Sequence, residues 1–180
     1  MKTQVITMVL LGGLIGCAAA LSGADPAESP AASKPQGLPE DHKLQYTQDF
    51  KNAEAMKEFV YTDPNAWRHG LDKKEGGRGY LELYKKSKDK YKVRSPFNIA
   101  LIKNKKVGSF VLQAELQQTG REYGHRDLCL FWGFQDPSHF YYVHIASKAD
   151  PHAHQIFIVN GKPRTKITAQ GTSGHKWSSK

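Results

Sequence analysis

Arg126-Asp127-Leu128-Cys129-Leu130-Phe131-Trp132-Gly133-Phe134-Gln135-Asp136-Pro137-Ser138-His139-Phe140-Tyr141-Tyr142-Val143-His144-Ile145 reads as two strands joined by a turn. Apolar and aromatic residues fill both halves. Between them, Gln135-Asp136-Pro137-Ser138 has the composition of a tight reversal, because Asp and Ser bond back to nearby backbone and Pro presets φ. A third strand at 154–159 ends on the turn cluster Asn160-Gly161-Lys162-Pro163, so the three segments predict an antiparallel meander. Side chains alternate along a strand. That places Leu128, Leu130, Trp132 and Phe134 on one side and Asp127, Cys129, Phe131 and Gly133 on the other. In the next strand Tyr141, Val143 and Ile145 make a plainly apolar face, and Phe140, Tyr142 and His144 an amphipathic one. The amphipathic set is the expected ligand surface, since Tyr and His combine a flat apolar body with a hydrogen-bonding tip.

Outward from this meander the regular segments stay short, rich in Val, Ile, Phe, Tyr and Leu, and punctuated by Gly, Pro, Asp and Asn. Further strands are expected at 43–50, 58–61, 79–84, 98–102, 109–116 and 164–168, with one helical turn at 51–57. No segment shows a long helical period, so the class is all-β. The folded part, 41–180, has the length of one domain with one core.

The ends carry different information. Met1-Lys2 is followed by an uncharged run from Val5 to Ile15 that is too short to span a bilayer and fits the core of an export signal. It closes on Leu14-Ile15-Gly16-Cys17, which resembles the lipobox of bacterial lipoproteins. In that reading Cys17 is the lipid anchor and the protein attaches to a membrane through its N-terminus. Cleavage after Ala20 or Ala24, giving a freely secreted protein, is the other reading. Residues 1–20 are thus expected to be the signal and 21–40, dominated by Ala, Pro, Ser and Gly, a disordered linker that cannot offset its ordering entropy by burial. The expected location is the periplasm, the outer membrane as a lipoprotein, or the extracellular space.

The formal charge is +9, and residues 68–106 hold 13 Lys and Arg against 4 Asp and Glu, which accounts for the whole excess. Such a stretch serves nucleic acid, an acidic polysaccharide or anionic lipid, or it is simply a solvated lysine-rich turn. Export argues against nucleic acid. With Cys17 acylated or removed, Cys129 has no partner for an intradomain disulfide and is expected to be a small buried apolar residue.

The central run looks like the middle sheet of concanavalin A-like lectin/glucanase domains, and most resembles laminin-G-like and 3-keto-disaccharide-hydrolase-like exported bacterial domains. Asp49-Phe50, Asp63-Pro64-Asn65-Ala66-Trp67, Gly79-Tyr80-Leu81-Glu82-Leu83 and Ser95-Pro96-Phe97-Asn98-Ile99-Ala100-Leu101 support the likeness. The resemblance implies an antiparallel two-sheet jelly-roll sandwich with a concave face that takes glycans. It does not by itself imply catalysis. Two departures stand out. The Glu-x-Asp-x-x-Glu strand of the family 16 glycoside hydrolases does not occur, and family domains continue after a Trp such as Trp177 with several more strands, which suggests a sandwich incomplete at its C-terminus.

The expected ligand-binding residues are Tyr142, His144, Asp127, His152 and Trp67, the last on a loop after the Asp63-Pro64 turn, where an exposed ring stacks on a sugar. Trp132 is expected in the core. The leading function is a non-catalytic carbohydrate-binding or surface-recognition module. A glycoside hydrolase acting on (3-keto) di- or oligosaccharides is the alternative, with His144 or His152 as base and Asp127 as its partner. A structural envelope protein is the third class. No cofactor is expected. The late histidines His139, His144, His152 and His154 match no closed zinc motif, and calcium, which lectin-like sandwiches often hold, has scattered loop candidates in Asp136, Asp150 and Asn160.

Overall fold

A computed structural model of the chain describes residues 4–13, 42–87, 91–120, 127–146 and 154–169, the first of these segments as backbone. In chain order the strands are β1 (Gln4–Gly13), β2 (His42–Gln48), β3 (Phe59–Tyr61), β4 (Trp67–Asp72), β5 (Arg78–Leu83), β6 (Ala100–Ile102), β7 (Phe110–Gln118), β8 (Leu128–Asp136), β9 (His139–Ile145), β10 (Gln155–Asn160) and β11 (Thr165–Lys166). The all-β expectation holds. The strands form a three-stranded sheet β2-β1-β7, a four-stranded sheet β11-β10-β9-β8, and the pairs β3-β6 and β4-β5. These pairings are all antiparallel.

Polar side chains make the tight connections. Asn52, Asp63 and Asp72 each accept a hydrogen bond from the backbone N–H two residues on, starting three short 3-10 segments: Ala53–Glu58, Pro64–Ala66 and Lys73–Glu75. The first of these is the helical turn expected at 51–57, displaced by two residues at its start. In the β8–β9 turn Asp136 accepts from the Ser138 N–H at 2.6 Å and pairs with His139 Nδ1 at 2.8 Å. Both contacts hold the Asp136 carboxyl below its usual range.

Two clusters of buried side chains organise the interior. One gathers Phe50, Phe59, Trp67 and Leu81 around the β3–β5 region. The other gathers Ile99, Phe140, Tyr142, Phe157 and Val159 on the inner face of the four-stranded sheet, with Phe131 and Phe134 packed against it. Stacked rings run through the second cluster: Tyr142 lies 5.2 Å from Phe157 and 5.8 Å from Phe131, and Phe134 lies 5.7 Å from Phe140. Offset and edge-on pairs of this kind add to what area burial contributes.

Three expectations are corrected here. Phe140, Tyr142 and His144 form the buried face of β9, while Tyr141 on the supposedly apolar face is 37% exposed. Phe134 does not share a side with Trp132: the β8–β9 register shifts after Trp132, and Gly133 adopts φ +58, so the chain bulges and Phe134 turns onto the Phe140 side. Trp132 is left stacked on Tyr141 at 6.2 Å, outside both buried clusters.

β4 has no counterpart among the expected strands. Trp67-Arg68-His69-Gly70-Leu71-Asp72 is polar and contains a glycine, which reads as loop, yet it pairs residue for residue with β5 from Trp67↔Leu83 to Asp72↔Arg78. Gly70 is what the pairing requires: a side chain there would collide with the Tyr80 ring directly opposite. The run Val5 to Ile15, read as the core of an export signal, overlaps the central strand of the three-stranded sheet, Gln4–Gly13; a short, mostly apolar run meets the length and composition of either.

Candidate functional site

Between the two buried clusters lies a cavity of about 690 Å³, within the size range of small-ligand sites. Its walls come from the start of β4, the chain just after β5, the stretch Arg94-Ser95-Pro96-Phe97-Asn98, the first half of β8, His144 of β9 and Arg164 ahead of β11. Three residues expected at the site, Asp127, His144 and Trp67, line this one space.

The histidine is held by strand pairing. Cys129 and His144 are opposite one another across β8 and β9, and Asp127 lies two residues before Cys129, on the same face. His144 Nε2 stands 2.8 Å from Asp127 Oδ2, with the His144 side chain 7% exposed. The carboxylate thereby fixes the ring's orientation. Asp127 is the one carboxylate among the described lining residues.

Trp67 is not the exposed loop platform expected of it. It begins β4, is 6% exposed and packs in the first cluster, 5.8 Å from Tyr61. Its indole N–H nevertheless has no hydrogen-bond partner, and neither does the buried amide oxygen of Asn98. Both residues line the cavity, but these two atoms are themselves closed to solvent and lie beneath its surface. Buried polar atoms of this kind are costly unless something bonds them.

Tyr142 is corrected more strongly. It is fully buried and absent from the cavity wall. Its hydroxyl accepts a hydrogen bond from Arg164 Nη1 at 3.3 Å, and burial pushes its phenol up to about 12, against the opposing pull of Arg164. Strand alternation had set Tyr142 beside His144; it did not say that this face points inward. His152 and Cys17 lie outside the described residues, as does Asp150.

No family model, curated protein or solved structure matches this chain.

Cys129, expected to be buried, is only half-buried and lines the cavity. Burial first, then the Asp127 carboxylate, pushes its thiol up to about 12, with Arg164 acting the other way. At pH 8 only about one thiol in ten thousand is then thiolate, the form that reacts. Cys129 in the native protein is expected to resist iodoacetamide at pH 8 and to be alkylated at once in urea, read by peptide mass. Rapid native alkylation would show an activated thiol instead.

Among the described residues no three His, Cys, Asp or Glu side chains converge as a metal site requires. His139 pairs with Asp136 in an exposed turn, His144 with Asp127, and His154 Nε2 sits 3.1 Å from the Ala146 carbonyl, so the three serve separate places. The residues that sequence reading did not single out are Arg94, Phe97, Asn98 and Arg164. Ser95-Pro96-Phe97-Asn98 carries no regular period, and Arg164 reads as the first residue of a short strand. Only the folded chain brings them to one wall.

Proposed function

We propose that this chain is a non-catalytic carbohydrate-binding module of concanavalin A-like jelly-roll type. The observation that carries this is the cavity whose lining combines aromatic residues (Trp67, Tyr84, Phe97, Phe131) with the polar side chains Ser95 and Asn98. A sugar ring presents C–H faces to aromatic rings and hydroxyls that both donate and accept to polar side chains, so it suits a lining of both kinds. His144, oriented by Asp127, adds a further polar side chain to the lining.

The test is a glycan array followed by calorimetry on the best binder. Phe97→Ala removes a ring of the lining and Asn98→Leu its amide; each is expected to weaken binding about tenfold, the value of one ring contact or one hydrogen bond. Binding that survives both substitutions, or no glycan held at millimolar concentration, would overturn the proposal.

The Asp127–His144 pair favours a second reading, cleavage of 3-keto di- or oligosaccharides. A ketone at C3 acidifies the neighbouring C2–H, so a single oriented base can remove that proton while the C1 substituent leaves with the bond electrons. Two carboxyls about 5 Å apart, which retaining hydrolysis of ordinary glycosides uses, are not needed for this step. Release of free sugar from a 3-keto disaccharide, lost in His144→Ala, would establish it over the binding reading.

A further inference from the structure

The cavity's charges are one-sided. Lys85, Lys86, Arg94 and Arg164 line it, and the sole carboxylate among the described lining residues, Asp127, already faces His144. The other described arginines are matched to acids: Arg68 Nε and Nη2 reach the two oxygens of buried Glu82 at 2.6 and 3.1 Å, and Arg78 meets Glu115 at 2.5 Å. Arg94 and Arg164 pair with no carboxylate among the described residues.

Arg164 is also held in place. Its guanidinium lies over the Phe157 ring at 5.2 Å, Nη1 donates to the Tyr142 hydroxyl at 3.3 Å, and its backbone N–H donates to the Arg94 carbonyl at 3.2 Å. The last bond ties the two arginine backbones together at the edge of the cavity. A guanidinium stacked on a ring and anchored through one nitrogen keeps its remaining N–H groups in a fixed fork, the arrangement that binds planar or tetrahedral oxyanions through two parallel bonds. Two cations lining one cavity repel one another, and an anion bound by both offsets that cost.

Resting on the carbohydrate reading, we propose that this cavity selects anionic saccharides, with Arg94 and Arg164 receiving a uronate carboxylate or a sulfate ester of the sugar. The lysines after β5 add long-range attraction, and the arginines give the contact its specificity.

The experiment compares trigalacturonate with its methyl ester, which keeps the sugar and loses the charge, by calorimetry at low and physiological salt. A sulfated neutral trisaccharide and a single-stranded oligonucleotide are run beside them. The acid is expected to bind at least about tenfold tighter than the ester, and Arg94→Gln and Arg164→Gln each to erase about tenfold for the acid while leaving the ester within about twofold. Arg164 packs on buried rings, so its variant is checked for an unchanged melting curve; exposed Arg94 carries the test if it is not. Tighter binding of the sulfated sugar than of the uronate would assign the anion as sulfate within the same proposal. Acid and ester binding equally would overturn the anion preference and leave the carbohydrate reading standing. An oligonucleotide held tightly, with neither the acid nor any other sugar bound, would overturn both.

Discussion

Replacing Tyr142 with alanine is expected to destabilise the domain by about 3–5 kcal/mol, the cost of deleting a large ring from a packed interior. The ring is fully buried and touches three others, Phe131 at 5.8 Å, Phe140 at 5.9 Å and Phe157 at 5.2 Å. No neighbour can collapse into the space without breaking its own stack. Removal also takes away the hydroxyl that Arg164 bonds. Tyr142→Phe keeps the ring and loses only that bond, so it is expected to cost about 1 kcal/mol. Urea unfolding of the two variants checks this. Two curves displaced equally, both by little, would mean that the face is loosely packed and open to a ligand after all.

The same residue sets an alkaline limit. Burial raises the phenols of Tyr142 and Tyr61 to about 12, against the usual value near 10 for an exposed tyrosine. Each phenol therefore keeps its proton in the folded state at a pH where the unfolded chain has released it. The stability this represents is complete below about pH 10 and drains away as pH rises toward about 12, because the unfolded chain then binds fewer protons. Tyr142→Phe should lose less stability than the parent over that window. A parallel fall in both would place the titrating groups elsewhere.

The meander was legible because its signals are local. Two turn clusters and three runs of ring and branched residues specify β8, β9 and β10 whatever surrounds them, and their pairing follows from chain order. Which side faces inward was not legible. Both faces of β9 carry large apolar surface, and the polar tips of Tyr142 and His144 mark a water-facing side only if nothing inside the fold can bond them. Arg164 and Asp127 do bond them, and both come from other segments of the chain. β4 was hidden for a similar reason. Its glycine counts against a strand until Tyr80 on the opposite strand supplies the need for it. The cavity shows the limit most clearly: Asp127 and His144 were found through strand alternation, whereas Arg94, Asn98 and Arg164 meet them only through tertiary contacts. The bond from Arg164 N–H to the Arg94 carbonyl spans seventy positions.

Deleting residues 1–20 is expected to remove a large part of the domain's stability, because β1 is paired on both sides. Its register runs from Met8↔Gln48 to Gly13↔His42 on β2, and from Gln4↔Gln118 to Gly12↔Phe110 on β7. Without it β2 and β7, already the edges of this sheet, each lose the one strand they pair with among the described residues, and a row of backbone N–H and C=O groups is left without its ladder. Against a total of about 5–15 kcal/mol for a domain of ordinary stability, the loss of a central strand is a loss on the scale of the fold. The export reading removes this same segment, so the two make opposite predictions for the chain that starts at residue 21. If β1 is integral, that chain should unfold at markedly lower urea than the full chain and should associate, since the slot between β2 and β7 accepts a strand from a second copy. Sedimentation over a range of concentrations would show the association, and adding a synthetic peptide of residues 4–13 should reverse it and restore the midpoint. Coincident unfolding curves and a monomer at every concentration would show that β2 and β7 stand without β1, as an export signal discarded after transport demands.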